Sequence, residues 1–221
     1  MYDYIKQLNL DSFVEYDIKS LIYNPDLNLC QNIYICNIIS YFLKHTHDCK
    51  FILDVFLCNC IECKITPLIH KITYDYNYDY NQFSNILNNL NVICDLNVNL
   101  MSSIINKIDE NGMNVSLYIS FVMREIENDI DLNEQDKFEK IYDLNLKLLY
   151  LFNNFDNFML EDSVNNNIFY YICDSHNDNK LLIDTIYFSL LKNKNIVTVD
   201  CIKINNFKQT NNTKYLKSLL N

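Results

Sequence analysis

The segment "NKIDENGMN", residues 106–114, contains Gly112, the only glycine in a chain of 221 residues. The chain also has two prolines, no tryptophan, no alanine and a single arginine, Arg124. This composition is typical of a gene biased towards AT-rich codons, under which glycine is replaced wherever another residue is tolerated. A glycine that persists is expected where a Cβ atom would be strained, so we predict a positive φ at Gly112.

The net charge limits the kinds of partner. The chain carries 28 acidic and 18 basic residues, which gives a net charge of −10. Nucleic acids and anionic membranes bind proteins largely through lysine and arginine, so both are disfavoured as partners.

The sequence also lacks segments that would direct it into or across a membrane. No apolar run reaches the about 18 residues of a spanning helix, and the start "MYDYIKQLNLD" lacks the features of a signal peptide. We therefore expect a soluble, intracellular protein with no nucleic-acid and no membrane partner.

The nine cysteines include one cluster, "HTHDCKFILDVFLCNCIEC" at residues 45–63. Cys60 and Cys63 have the paired spacing of a zinc site, and Cys58 lies near them. The apolar residues that follow Cys49 have the spacing of an amphipathic helix, which would separate Cys49 from this group. A structural zinc site is the alternative. We favour ordinary thiols in a reducing compartment, and we predict no metal and no other cofactor.

Catalytic motifs are missing from the sequence. A single glycine excludes the phosphate-binding loop, the dinucleotide fingerprint and the G-x-S-x-G nucleophile turn, which all need several glycines. The zinc-protease motif H-E-x-x-H is also absent. The sequence therefore favours a protein that is not an enzyme.

Amphipathic helical periodicity recurs along the chain and predicts an all-α fold. The apolar stripes are Val14, Ile18, Leu21 and Ile22; Phe51, Ile52, Val55 and Phe56; Phe83, Ile86, Leu87 and Leu90; Phe138, Ile141, Tyr142, Leu148, Leu149 and Phe152; and Leu182, Ile183, Ile186, Tyr187 and Leu190. Polar stretches at residues 73–81, 127–137 and 174–179 separate the stripes and are predicted to be loops and helix starts.

The glycine segment belongs to a pattern that recurs. Asn111-Gly112 is a strong turn signal; Asp109 precedes it and a predicted helix follows. "ITPLIHKI", residues 65–72, contains a Thr-Pro-Leu helix start in which Pro67 suits the first turn. "DSVNNNIFYYIC", residues 162–173, places Asn165 in the glycine position, and asparagine is the next-best residue at positive φ. The units are about 50 residues long, against about 33 in an ordinary ankyrin repeat, and we assign the surplus to the polar spacers.

These turn and helix-start motifs resemble the long, irregular repeats of the poxvirus ankyrin-repeat proteins. The resemblance implies one array of helix-turn-helix units at about 1–28, 29–60, 61–105, 106–160 and 161–221. It also implies a binding module without catalytic groups, which captures a host defence protein in the host cytoplasm. Many members end in an F-box-like segment that recruits a ubiquitin ligase, but the end "TNNTKYLKSLLN" does not match that segment.

The contact region predicted from the sequence is the tip of the central turn, at Asp109, Glu110, Asn111 and Met113. In an ankyrin stack such tips project from the repeats, and here an apolar methionine lies beside two acids and an amide. The alternative is that these residues only shape the turn. Gly112, Asn165 and Pro67 are predicted to be structural turn residues.

A second fold and function remain open from the sequence. Poxviruses also encode compact helical inhibitors of apoptosis or innate immune signalling, and "ENGMNVSLYISFVMREIEND", residues 110–129, could be the central buried helix of such a bundle. This alternative predicts a rounded shape with one hydrophobic groove.

Overall fold

The computed structural model describes residues 69–70, 73, 79–93, 98–155, 160–175, 178–192 and 202–220. Seven α-helices are defined in these ranges: α1 (Tyr80–Ile93), α2 (Val98–Ile105), α3 (Val115–Asn128), α4 (Glu134–Asn154), α5 (Ile168–Asp174), α6 (Lys180–Lys192) and α7 (Asn211–Leu220). A 3-10 turn at Ile204–Asn206 precedes α7, and Ile69, His70 and Thr73 are helical as well.

The described part of the chain is all-α, as the periodicity predicts. It contains no β-strand, and its only β-type pairing is an isolated antiparallel bridge between Glu161 and Asn167. None of the helices in the described ranges combines the length and the apolar character that crossing a lipid bilayer requires.

Asparagine starts three of the helices. The Oδ1 atoms of Asn114, Asn133 and Asn167 accept hydrogen bonds from backbone N–H groups three residues further on, at the beginnings of α3, α4 and α5. An asparagine at this position satisfies an N–H group that the helix itself leaves without a partner. The many asparagines of this chain therefore help to define where its helices begin.

The helices contact one another in two rows. In the inner row, α3 packs against α5, and α5 packs against α7. In the outer row, α1 packs against α4, and α4 packs against α6. Contacts of α3 with α4 and of α6 with α7 join the rows. The helix α3 is largely buried, with eight of its side chains in the core.

The predicted apolar stripes of α1 and α6 are confirmed. Phe83, Ile86, Leu87 and Leu90 are buried on α1, and Leu182, Ile183, Ile186 and Leu190 are buried on α6. The stripe predicted for α4 is only partly correct, because Phe138 and Tyr142 are 66% and 57% exposed. The side chains that α4 buries are Leu144, Lys147, Leu148, Leu151 and Phe152, whereas residues 134–143 bury none.

The long polar loop predicted within the unit 106–160 is wrong. Only residues 129–133 separate α3 from α4, and most of the polar stretch 127–137 belongs to these two helices. The acidic residues Glu134 and Asp136 lie in the first turn of α4, where the positive end of the helix dipole favours them. The extra length of this unit therefore lies in its helices.

Several sequence-based predictions fall outside the described residues. They concern Pro67 with its Thr-Pro-Leu motif, the cysteine cluster at residues 45–63, and the stripes that begin at Val14 and Phe51. The units predicted at 1–28 and 29–60 lie outside as well.

Candidate functional site

The turn around Gly112 is closed by the side chain and backbone of Asp109. The Asp109 Oδ1 atom accepts hydrogen bonds from the backbone N–H groups of Asn111 and Met113, at 2.8 and 2.9 Å. The Asp109 N–H donates to the Met113 carbonyl, and the Gly112 N–H donates to the Asp109 carbonyl. Gly112 has a φ of +78°, the conformation that the sequence predicts for it.

A second turn repeats this hydrogen-bond pattern before α5. The Asp162 Oδ1 atom accepts from the N–H groups of Val164 and Asn166, at 2.9 and 2.8 Å. The Asp162 N–H donates to the Asn166 carbonyl, and the Asn165 N–H donates to the Asp162 carbonyl. Asn165 has a φ of +64°, so asparagine occupies the position that glycine has in the first turn.

The two turns contact each other directly. The Ser163 N–H donates to the Asn111 carbonyl at 2.8 Å. A Cβ atom on Gly112 would lie 3.4 Å from the Glu161 carbonyl oxygen, an ordinary van der Waals contact, so the positive φ is what favours glycine here. Lys203 also has positive φ, and it contacts the second turn: its Nζ atom forms an ion pair with Glu161 at 2.8 Å.

Gly112→Val is expected to lower the free energy of unfolding by about 1–2 kcal/mol or more, because a β-branched residue is strained at positive φ. Gly112→Asn introduces the same Cβ contact with Glu161 but tolerates this φ, and it should be much milder. The difference between the two variants isolates the backbone strain, and urea denaturation measures it. Equal effects of the two substitutions would contradict this explanation of the glycine.

The structure corrects part of the predicted contact region at this turn. Glu110 and Asn111 are exposed, as a contact role requires. Met113 is only 7% exposed and belongs to the hydrophobic core. The turn directs its side chain inward to pack against the helices, so the prediction of Met113 as a projecting apolar contact is wrong. One oxygen of Asp109 is already used by the turn.

A cluster of aromatic side chains with the single arginine lies on the inner row of helices. We call Tyr118, Phe121 and Arg124 of α3 with Tyr170 of α5 the inner aromatic surface; all four are half-buried. The Arg124 guanidinium lies over the Tyr170 ring, 5.3 Å from its centroid. Aromatic residues and arginine are the types that carry most binding energy in protein interfaces.

Buried rings support this surface from below and from the side. Phe121 meets Tyr171 edge to face with ring centroids 5.6 Å apart, and Tyr170 meets Phe207 in the same way at 5.6 Å. Tyr118 stacks on His70 at 5.0 Å with nearly parallel rings. Because aromatic rings have few rotatable bonds, this packing presents the surface in a preformed shape.

Arg124 is held in place by Asp174, which lies 50 residues away along the chain. Its Nε atom is 2.8 Å from Asp174 Oδ2, and the Asp174 carboxylate is only 6% exposed. Lys208 reaches the other oxygen of the same carboxylate at 2.8 Å. Within the described residues, the two terminal nitrogens of Arg124 form no hydrogen bond. These donors therefore remain available to a ligand.

Burial raises the pKa values of several titratable groups around this surface. Burial, and then the Asp109 charge, raise the pKa of Tyr118, while burial and the hydrogen bond to Asp162 raise the pKa of Tyr171. Burial raises the pKa of the Cys173 thiol to about 12, so this cysteine is a poor nucleophile. In the described ranges, no group of three potential metal ligands lies together.

Sequence reasoning missed the inner aromatic surface. Its helices were predicted, but Tyr118, Phe121 and Tyr170 were not singled out, and the single Arg124 was noted only as a feature of composition. The presence of a single arginine was the available signal: like Gly112, a lone arginine that persists under codon bias is expected to have a specific role.

Comparisons with family models, with curated proteins and with solved structures found no match.

Proposed function

We propose that this chain is a non-enzymatic protein-binding module of the ankyrin kind, which acts by occupying a host defence protein inside an infected cell. The observation that carries the proposal is the pair of turns at Asp109 and Asp162, which have the same hydrogen bonds and contact each other through Ser163 and Asn111. In an ankyrin stack, equivalent turns meet along one edge in this manner. The viral setting and the host partner rest on the family resemblance alone.

The binding surface in this proposal combines the exposed turn tips with the inner aromatic surface. Glu110 and Asn111 are exposed at one tip, and Val164 is 68% exposed at the next. Beside them, Tyr118, Phe121, Arg124 and Tyr170 offer aromatic area and two arginine nitrogens. Such groups suit a partner with apolar side chains and hydrogen-bond acceptors. The net charge of −10 further favours a partner with a basic rim.

The compact-inhibitor alternative gains no support from the cavity between α4 and α6. This cleft of about 380 Å³ is lined by three phenylalanines, Phe152, Phe155 and Phe188. The remaining lining residues are polar: Asn153, Asn154, Asp184, Thr185, Ser189 and Lys192. A groove for an apolar helix of a host protein would be lined mainly by apolar side chains.

Charge reversal on the proposed surface is expected to release the host partner. Glu125 is exposed on α3, one helical turn beyond Phe121. Glu110→Lys and Glu125→Arg should each raise the dissociation constant of the captured protein by about tenfold or more, because a basic rim on the partner is then repelled. The partner is isolated by pull-down from infected or transfected cells, and its affinity is then measured by calorimetry.

Asp178→Lys is the matched control for this test, because it makes the same charge change at an exposed position just before the outer helix α6. It should leave the affinity within about twofold of the unaltered chain. Circular dichroism shows whether each variant keeps its helices. Full-strength binding by both Glu110→Lys and Glu125→Arg would contradict the proposed surface, and failure to recover any stoichiometric partner would contradict the function.

A further inference from the structure

The outer helix α4 carries an exposed aromatic pair. Phe138 and Tyr142 are 66% and 57% exposed, and their rings stack on each other with centroids 6.1 Å apart and planes 16° from parallel. Ile130, in the loop that leads into α4, is 93% exposed. We call Phe138 and Tyr142 the α4 patch. Large apolar side chains exposed together on a surface indicate an interaction site.

The charges around the α4 patch are predominantly acidic. Residues 127–140 include six acidic and two basic residues, and Asp131, Glu134, Asp136 and Glu139 are all exposed. Glu134, Phe138 and Tyr142 follow one another at four-residue spacing, so they lie along one face of the helix. One of the two lysines, Lys137, is engaged by the Glu127 carbonyl and by Glu134.

We propose that the α4 patch is a second docking surface, which binds a basic amphipathic segment of a partner protein. Apolar side chains of that segment cover Phe138 and Tyr142, and its lysine or arginine residues pair with Glu134 and Glu139. A lysine or arginine head group above either ring gains a further attraction to the aromatic face. The proposal is independent of the proposed function, because the patch shares no residue with the inner aromatic surface.

The same charges disfavour two other occupants. A second copy of this chain, paired by two-fold symmetry, would bring two acidic surfaces together, with a net charge of −10 on each copy. An anionic membrane surface would be repelled for the same reason. A cationic, partly apolar protein segment is the ligand that complements both the rings and the carboxylates.

The test uses a fluorescently labelled synthetic helix of leucine and lysine, with leucine at the spacing of one helical face. Anisotropy titration against the full chain measures its dissociation constant. Phe138→Ala with Tyr142→Ala should raise that constant by about tenfold or more, because these exposed rings supply the apolar contact. Raising the salt concentration to about 0.5 M should weaken binding by screening the carboxylates.

Leu181→Ala with Phe188→Ala is the matched control, because these side chains of α6 are 71% and 58% exposed. This variant and Glu125→Arg should stay within about twofold of the unaltered chain, which separates the patch from the inner aromatic surface. A leucine–glutamate helix should not bind.

Three outcomes would overturn the proposal. They are equal affinity of the α4 double variant and the unaltered chain, equal binding of the leucine–glutamate helix, and a chain that sediments as a dimer until Phe138 and Tyr142 are replaced. The last result would identify a second copy as the occupant. Because both residues are exposed, the double variant should keep its circular dichroism, so loss of binding reports on the surface and not on folding.

Discussion

Replacing Asp143 with alanine is expected to lower the free energy of unfolding by about 3 kcal/mol, because a buried ammonium group then loses its carboxylate. The Lys147 side chain is only 3% exposed, and its Nζ atom lies 2.7 Å from Asp143 Oδ2 and 3.0 Å from the Thr73 carbonyl oxygen. The Asp143 Oδ1 atom also accepts a hydrogen bond from the backbone N–H of Tyr80 at the start of α1. The substitution therefore removes contacts of both α1 and α4.

Lys147→Met distinguishes the loss of a charge partner from the loss of packing. It removes the buried charge and retains an apolar chain of similar size over the Phe83 ring. The Asp143 carboxylate that it leaves behind is 32% exposed and stays hydrated, so the variant should cost clearly less than Asp143→Ala. Glu134→Ala breaks an ion pair on the same helix in which the glutamate is 93% exposed, and it should have little effect. Urea denaturation measures all three variants. Equal destabilisation by Asp143→Ala and Lys147→Met would contradict this account.

Acidification is expected to remove about 3 kcal/mol of stability through His70 alone between about pH 7 and pH 4.5, with a limiting slope of about 1.4 kcal/mol for each pH unit. Burial lowers the pKa of His70 to about 3, and the Lys107 backbone only partly offsets this effect. The ring is fully buried, and neither nitrogen has a hydrogen bond of good geometry in the described ranges. Above pH 6.5 the folded and unfolded chains both carry a neutral ring. Below it only the unfolded chain gains the proton, so stability falls with pH until the folded pKa is reached.

His70→Phe is the control for this effect, because phenylalanine can still stack on Tyr118 but does not titrate. The stability difference between the unaltered chain and the variant should change by about 3 kcal/mol from about pH 7 to pH 4.5. Other histidines and the carboxylates titrate in both proteins and cancel from this difference. A difference that stays constant with pH would show that His70 is protonated as easily in the folded chain as in the unfolded one.

Local features of the fold were predictable from local sequence. Gly112 and Asn165 have positive φ. Few residues other than glycine and asparagine adopt positive φ readily, so the residue type at these positions predicts the backbone conformation. The stripes of α1 and α6 are confirmed because each helix buries one face over its whole length. The short loop between α3 and α4 was missed, because the acidic stretch 127–137 has the composition of a loop and the capping pattern of a helix start.

The candidate site was less predictable, because it depends on contacts between distant residues. Arg124 meets Asp174, Asn111 meets Ser163, and Lys203 meets Glu161 across separations that no spacing rule addresses. The tip at Glu110 and Asn111 was predicted as a contact, and its exposure agrees with that role, which stays a prediction. Met113, next to it, proved to be part of the core.

The sequence by itself determined the helical class and the two tight turns, because these follow from backbone preferences within a few residues. Only the tertiary structure decided which side chains are covered. Lys147 is buried although lysine is normally exposed, and Phe138 is exposed although phenylalanine is normally buried. Whether a side chain is buried depends on which helix packs against it. That helix comes from a distant segment of the chain, so burial cannot be inferred from neighbouring residues.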